Sequence, residues 1–241
     1  MKIAILSHFG HLECCAFILE IYNNNNNNIY IYISKNTWDY GWMEYYSTLF
    51  NINIIYDNFN ENILDNYDKI FKLTSSDNCL DDKKIISILH LQYSYCKSEK
   101  YITLTPYING NNLYYTFPIY QPKLLNCLKS KIITLIGYYN DNDIDNDLLQ
   151  FINLNNNYKF NFISWGGNSN KLKNIKNVNL LGRCCQEVVQ TDIMIDLLNN
   201  SKYVLSKKYI NYDRFSGQLG LAMSHEIPLI IDIKTKNNYK L

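Results

Sequence analysis

The chain has 241 residues, enough for one large domain or two small ones. Apolar residues make up 47% and charged residues 19%, the profile of a protein with a buried core. The net charge of +1 excludes the basic footprint of a nucleic-acid binder, and no apolar run approaches the ~20 residues of a membrane span.

The first half alternates strand-like and helix-like segments. Lys2 to Ser7 is a short apolar run of the kind a strand buried on both faces shows. It has no small-residue cleavage site and is not expected to be a signal peptide. Gly10 opens a helical pattern with Leu12, Cys15, Ala16, Leu19 and Tyr22 on one face. The unbroken Asn23–Asn28 follows as a surface loop. Ile29–Ser34 is predicted as a strand, Trp38–Phe50 as an aromatic helix, and Ile52–Tyr56 and Lys69–Leu73 as strands. Lys83–Cys96 is predicted helical, and Tyr101–Thr105 forms a fifth strand closed by Pro106.

The second half restarts the series. Lys131–Gly137 is predicted as a strand, then Ile144–Leu154 as an amphipathic helix behind an acidic loop. Lys159–Trp165, Val178–Leu181 and Tyr203–Ser206 are strands, with a helix from Thr191 to Asn200. A further helix spans about Ser216 to His225, and Pro228 leads into a last strand, Leu229–Ile233. Such alternation means βαβ units and parallel sheets. A break near Gln121-Pro122 gives two Rossmann-like domains facing a cleft, 1–122 and 123–241. The competing arrangement is one continuous doubly wound sheet. Ligands of either belong at the carboxyl ends of the strands.

Candidate chemistry follows from that placement. The loop Ser7-His8-Phe9-Gly10-His11-Leu12-Glu13 carries two of the four histidines at a strand's carboxyl end. A histidine there can serve as general base, can join Glu13 in holding a metal, or can simply satisfy a helix end. Asp77, after the fourth strand, can orient a histidine. In Asp213-Arg214-Phe215-Ser216-Gly217-Gln218, small residues at a helix start expose backbone N–H groups to an anion, with Arg214, Lys207 and Lys208 nearby. Ser216 is equally suited to an ordinary helix cap. Gly166-Gly167 and Gly182-Arg183 end two strands and can approach a nucleotide or turn the chain. Seven cysteines, two pairs of them adjacent (Cys14-Cys15, Cys184-Cys185), point to reduced thiols in a cytoplasmic setting. The Asn, Ile, Tyr and Lys bias follows AT-rich codons, as in a protist or a large DNA virus of one, whose host cytoplasm would then be the setting.

The second half resembles the nucleotide-sugar-binding domain of GT-B glycosyltransferases. The resemblance runs from Asn177–Gly182 through Asp196–Ser206 into Phe215–Ile230. It keeps the family's order of a strand ending in glycine, a helix, a strand ending in serine and a glycine-rich helix start. Phe9-Gly10-His11 looks like the glycine-histidine turn of inverting members. The resemblance implies a metal-independent transfer of a sugar from a nucleotide-diphosphate donor to a hydroxyl acceptor, with no other cofactor. His11 would be the base, with Asp77 as its carboxylate partner. Gly10, Gly166, Arg183, Arg214, Ser216 and Gly217 would contact the donor. Departures from the pattern are Asp213 and Leu221 at the two glutamate positions, and Glu226 where the family has glycine before its proline. The cationic pair expected after the first strand of the second domain is also missing. A non-catalytic interaction protein that has lost donor binding is the alternative, and a nucleotide-sugar epimerase or hydrolase on the same fold is a third reading.

Overall fold

A computed structural model describes residues 1–7, 16–23, 26–33, 42–50, 52–56, 65–73, 85–89, 101–103, 130–137, 139–164, 170–181, 191–206, 221–222 and 225–239. These fall into two compact units, one through Thr103 and one from Ser130 onward. The expected break at Gln121-Pro122 lies outside the described residues.

The first unit contains β1 (Lys2–Ser7), α1 (Ala16–Asn23), β2 (Asn28–Ile33), α2 (Trp42–Leu49), β3 (Ile52–Ile55), β4 (Lys69–Leu73), β5 (Ile85–Leu89) and β6 (Tyr101–Thr103). All its strand pairs are parallel, in the order β3-β2-β1-β4-β5-β6. That is the doubly wound order in which strand succession reverses beside the first strand. Ile3 to Leu6 are buried, as a strand covered on both faces requires. Ala4, Leu6, Tyr32, Tyr67, Ile70 and Ile85 form a core cluster on one face.

The second unit contains β7 (Ile132–Gly137), α3 (Asn146–Leu154), β8 (Lys159–Ser164), β9 (Val178–Leu181), α4 (Thr191–Asn199), β10 (Tyr203–Leu205), β11 (Leu229–Ile230) and α5 (Ile233–Tyr239). Its sheet is again parallel throughout, in the order β11-β10-β7-β8-β9. Ile133, Leu135, Tyr139, Ile152, Phe160 and Phe162 are among the core residues. Tyr139 meets Phe162 edge to face at 5.6 Å.

Two expectations are corrected. The helix predicted over Lys83–Cys96 gives way to β5 at Ile85–Leu89. Ile85, Ile88 and Leu89 suit helical spacing, but pairing decides: Ile70 to Leu73 of β4 align with Ile85 to Ile88, and β6 closes the other edge. The strand predicted over Leu229–Ile233 ends at Ile230, because Asp232 starts a helix there. Its Oδ1 accepts from Lys234 N at 3.0 Å and its carbonyl accepts from Lys236 N at 3.0 Å. Of the helix predicted over Ser216–His225, the described Leu221 and Ala222 are helical and buried.

Among the described residues, three positions carry positive φ. Gly137, at the carboxyl end of β7, has φ +138, which glycine alone adopts readily. Asn26 (φ 51) makes the turn out of α1, where Asn27 Nδ2 donates to Tyr22 O at 2.8 Å. The asparagine run therefore includes a residue type that tolerates the left-handed turn and another that satisfies a helix-end carbonyl. Glu226 has φ 54. The backbone keeps a glycine-like conformation where the resemblance expects glycine, although the side chain is glutamate. Left-handed backbone costs a non-glycine residue roughly 1–2 kcal/mol, and glycine's greater unfolded-state freedom returns roughly 0.5–1 of that. Glu226→Gly is therefore expected to raise the melting temperature, by a stabilisation of about 0.5–1 kcal/mol. Gly137→Ala is expected to lower it, by a destabilisation of about 1–3 kcal/mol. Among the described residues its new Cβ would meet only Tyr139 Cε2, at 3.9 Å, so the expected loss comes from the backbone. Thermal denaturation of both variants checks the two signs.

Candidate functional site

In a doubly wound sheet, neighbouring connections diverge to opposite faces where the strand order reverses, opening a crevice at the carboxyl ends. In the first unit this point lies between β1 and β4. Ser7 and Leu73, their last residues, are register partners. The loop of Gly10 and His11 and the loop of Asp77 therefore leave from adjacent strand ends, with His11 and Asp77 each four residues beyond. The topology brings together the origins of the two loops predicted to share the base and its carboxylate. His8, Gly10, His11, Glu13 and Asp77 themselves lie outside the described residues. Ser7 is buried, and its Oγ has no hydrogen-bond partner among the described residues. One residue inside these ends, Lys72 is buried at 5% exposure in register with Leu6 and Ser87. Desolvation pulls its ammonium below the usual lysine range.

In the second unit the order reverses between β7 and β10, and a cavity of about 300 Å³ opens there. It is lined by Leu135 of β7, Leu205 and Ser206 at the end of β10, and Ile230 to Asp232 at and beyond the end of β11. Tyr139, Asp143 and Asp145 of the β7–α3 loop, with Asp147, Leu148 and Phe151 of α3, complete the described lining. The loop is held by its own polar groups. Asp143 Oδ2 accepts from Asn140 N at 2.9 Å, and Asp145 Oδ1 accepts from Leu148 N at 2.8 Å, capping α3. Lys171 Nζ donates to the carbonyls of Asp141 at 2.7 Å and Ile144 at 2.8 Å. The β7–α3 loop beside the cavity is therefore held by both local and longer-range bonds, as a preorganised site needs.

The other predicted donor contacts follow strands of the second unit in sequence. Gly166 follows the end of β8 by two residues, Arg183 follows β9 by two, and Arg214, Ser216 and Gly217 follow β10. All five lie outside the described residues, as does Asp213. Leu221, at the second glutamate position of the resemblance, is 1% exposed and serves the core. The cavity aspartates and Tyr139 did not stand out as site residues in the sequence. The available signal was the acidic loop directly after a strand's carboxyl end. Among the described residues no group of three or more His, Cys, Asp and Glu is arranged to hold a metal ion, and no helix is long and apolar enough to cross a membrane.

No protein-family profile matches the chain, and no curated protein matches it significantly. Solved structures do. The chain is similar to E. coli heptosyltransferase WaaC with ADP, at 11% identity, covering 96% of this chain and 86% of that one, with a TM-score of 0.50. Acinetobacter baumannii MurG matches at 6% identity over 95% of this chain and 85% of that one, TM-score 0.44. UDP-N-acetylglucosamine 2-epimerase from Rickettsia bellii matches at 13% identity over 95% and 77%, TM-score 0.47. At these identities the likeness is one of fold. The chain is an α/β protein of two Rossmann-like parallel-sheet units, the architecture of GT-B glycosyltransferases.

In the second unit, His225 is buried with Nδ1 2.9 Å from Asn199 Oδ1. Burial lowers its pKa to about 4 from the usual 6.5. It is a neutral structural group at neutral pH. Protonation is easier in the unfolded chain, so its stabilisation is full above about pH 6.5 and is lost as pH falls towards 4. Stability of the second unit is expected to drop over that window by about 3 kcal/mol. His225→Gln, which cannot titrate but can still bond Asn199, should flatten the decline. Urea denaturation at pH 7, 5.5 and 4 measures both slopes.

Proposed function

We propose that the protein is an inverting, metal-independent glycosyltransferase that moves a sugar from a nucleotide-diphosphate donor to a hydroxyl acceptor. One observation carries this: both sheets have the doubly wound order, and a cavity opens at the switch point of the second. His11, oriented by Asp77, takes the acceptor's proton. The acceptor oxygen then attacks the anomeric carbon from the face opposite the leaving group, the carbon–oxygen bond to the diphosphate breaks, and the configuration inverts. Charge develops on the departing diphosphate, and Arg214 with the backbone N–H groups of Ser216 and Gly217 is suited to stabilise it. Gly10 lets the acceptor approach the first loop, while Gly166 and Arg183 contact the nucleotide.

Loss of a positioned general base costs roughly 10²–10⁴-fold in rate. His11→Ala is expected to reduce transfer and donor hydrolysis by at least ~100-fold while leaving donor affinity within a fewfold. Undiminished activity in the variant would remove His11 from the mechanism. A second reading, a non-catalytic interaction protein on the same fold, is favoured by the burial of Leu221 where a ribose-binding glutamate is expected. Calorimetry that detects no nucleotide or nucleotide-sugar binding at millimolar ligand would select it.

A further inference from the structure

From Tyr138 to Asp145 the β7–α3 loop contains no lysine or arginine, although the resemblance expects a cationic pair there. A cation reaches it from elsewhere in the chain. Lys171 lies in the connection between β8 and β9, 30 positions beyond Asp141. Its Nζ donates to Asp141 O at 2.7 Å and to Ile144 O at 2.8 Å, and its backbone N donates to Asp141 Oδ1 at 3.3 Å. The next residue, Leu172, is buried in the same core cluster as Tyr139 and Ile144. Apolar packing thus sets the place of the connection, and the ammonium beside it clasps the loop backbone at two points. Lys171 is an exposed residue, and the dipole of a helix disfavours a cation beside its N-terminus. Neither burial nor the dipole accounts for its placement; the two carbonyl bonds do.

We propose that Lys171 is a positioning residue of the donor site, its ammonium holding the β7–α3 loop in the form that bounds the cavity. The proposal rests on the glycosyltransferase reading, with the nucleotide end of the donor at this cavity, and deepens it by naming what keeps the cavity formed. Tyr139, Asp143 and Asp145 of the loop line the cavity, and Asp145 also caps α3, which contributes Leu148 and Phe151. Lys171 is not in the described lining, so it acts through the loop rather than by touching the ligand. A ligand that needs the clasped loop binds in proportion to the fraction of molecules in which the loop is clasped. Loss of both ammonium bonds lowers that fraction and weakens binding without altering a group the ligand touches.

Three variants of the full chain test this. Lys171→Met keeps the aliphatic stem and removes the donors, and Lys171→Arg keeps a cation that can donate to two carbonyls. Lys173→Met removes an exposed charge from the same connection and leaves the clasp in place. Isothermal titration calorimetry with ADP, GDP, CDP and UDP finds the tightest-binding nucleotide. Hydrogen exchange follows the Asn140, Asp143 and Leu148 amides, whose acceptors lie within the loop. Lys171→Met is expected to weaken that nucleotide ~10-fold and to speed exchange of these amides ~10-fold without ligand, with the melting temperature little changed. Lys171→Arg and Lys173→Met are expected to stay within about threefold of wild type in both. Unchanged exchange in Lys171→Met would overturn the clasp, and faster exchange with unchanged affinity would overturn its role in the donor site. Loss of the folded second unit would do the same, because the role would then be structural. Equal loss of affinity in Lys173→Met would trace the effect to net charge, and equal loss in Lys171→Arg would show that the donors do not matter; either overturns the proposal. All of these leave the glycosyltransferase reading standing. Failure of all four nucleotides to bind wild type would instead remove that reading, and this proposal with it.

Discussion

A parallel sheet buried on both faces is the constraint on which the rest of this protein depends. Its strands cannot be joined by tight hairpins, so every connection must cross one face and return to the same end. All carboxyl ends therefore lie along one edge. β1 and β7 set this edge for their units, each paired on both sides: β1 with β2 and β4, β7 with β8 and β10. In β1, Ile3 to Leu6 are fully or almost fully buried. Each such aliphatic side chain contributes roughly 1.5–3 kcal/mol of burial, enough to fix register, because a one-residue slip would exchange the two faces. Site position follows from strand order before any site residue is considered.

Several polar groups inside this apolar frame are held by specific partners. Thr134 Oγ1 of β7 lies 2.6 Å from Ser201 Oγ, and Ser201 Oγ also bonds the Leu197 carbonyl at 2.7 Å. This links the central strand to the end of α4 just before β10 begins, beneath the strand ends that line the cavity. In the first unit, the Tyr32 and Tyr67 hydroxyls bond each other within the core, and burial raises the Tyr67 phenol. An unmade bond at any of these places would cost roughly 1–3 kcal/mol. Polar pairing and apolar packing thus select the same arrangement, which leaves the strand ends and their loops as the places where polar chemistry can vary.

How much of this was legible follows from the range of the interactions involved. The strand at Lys2–Ser7 could be read because a strand buried on both faces is a near-continuous apolar run. Ile85–Leu89 was misread because its isoleucines fit both periods, and only pairing with β4 and β6 distinguishes them. Ile233 was assigned to a strand because Asp232 acts as a cap only once the chain turns there. The adjacency of the His11 and Asp77 loops could be inferred only after a strand order was assumed. The acidic cavity was not legible, since Asp143 and Asp232 are 89 positions apart and meet only when β11 reaches β10.

The aspartates of that cavity show why structural and functional readings of one residue need not compete. Asp145 and Asp232 are sufficiently explained as caps, each typically worth about 1 kcal/mol to its helix. Serine or threonine would cap as well, without charge. Aspartate at both helix ends, with Asp143 and Asp147 beside them, places four carboxylates in the described lining of the cavity. The local need to start two helices thus also sets which polar groups line the crevice. For that reason, changing the charge while preserving the cap, as aspartate to asparagine does, separates the two roles more cleanly than truncation.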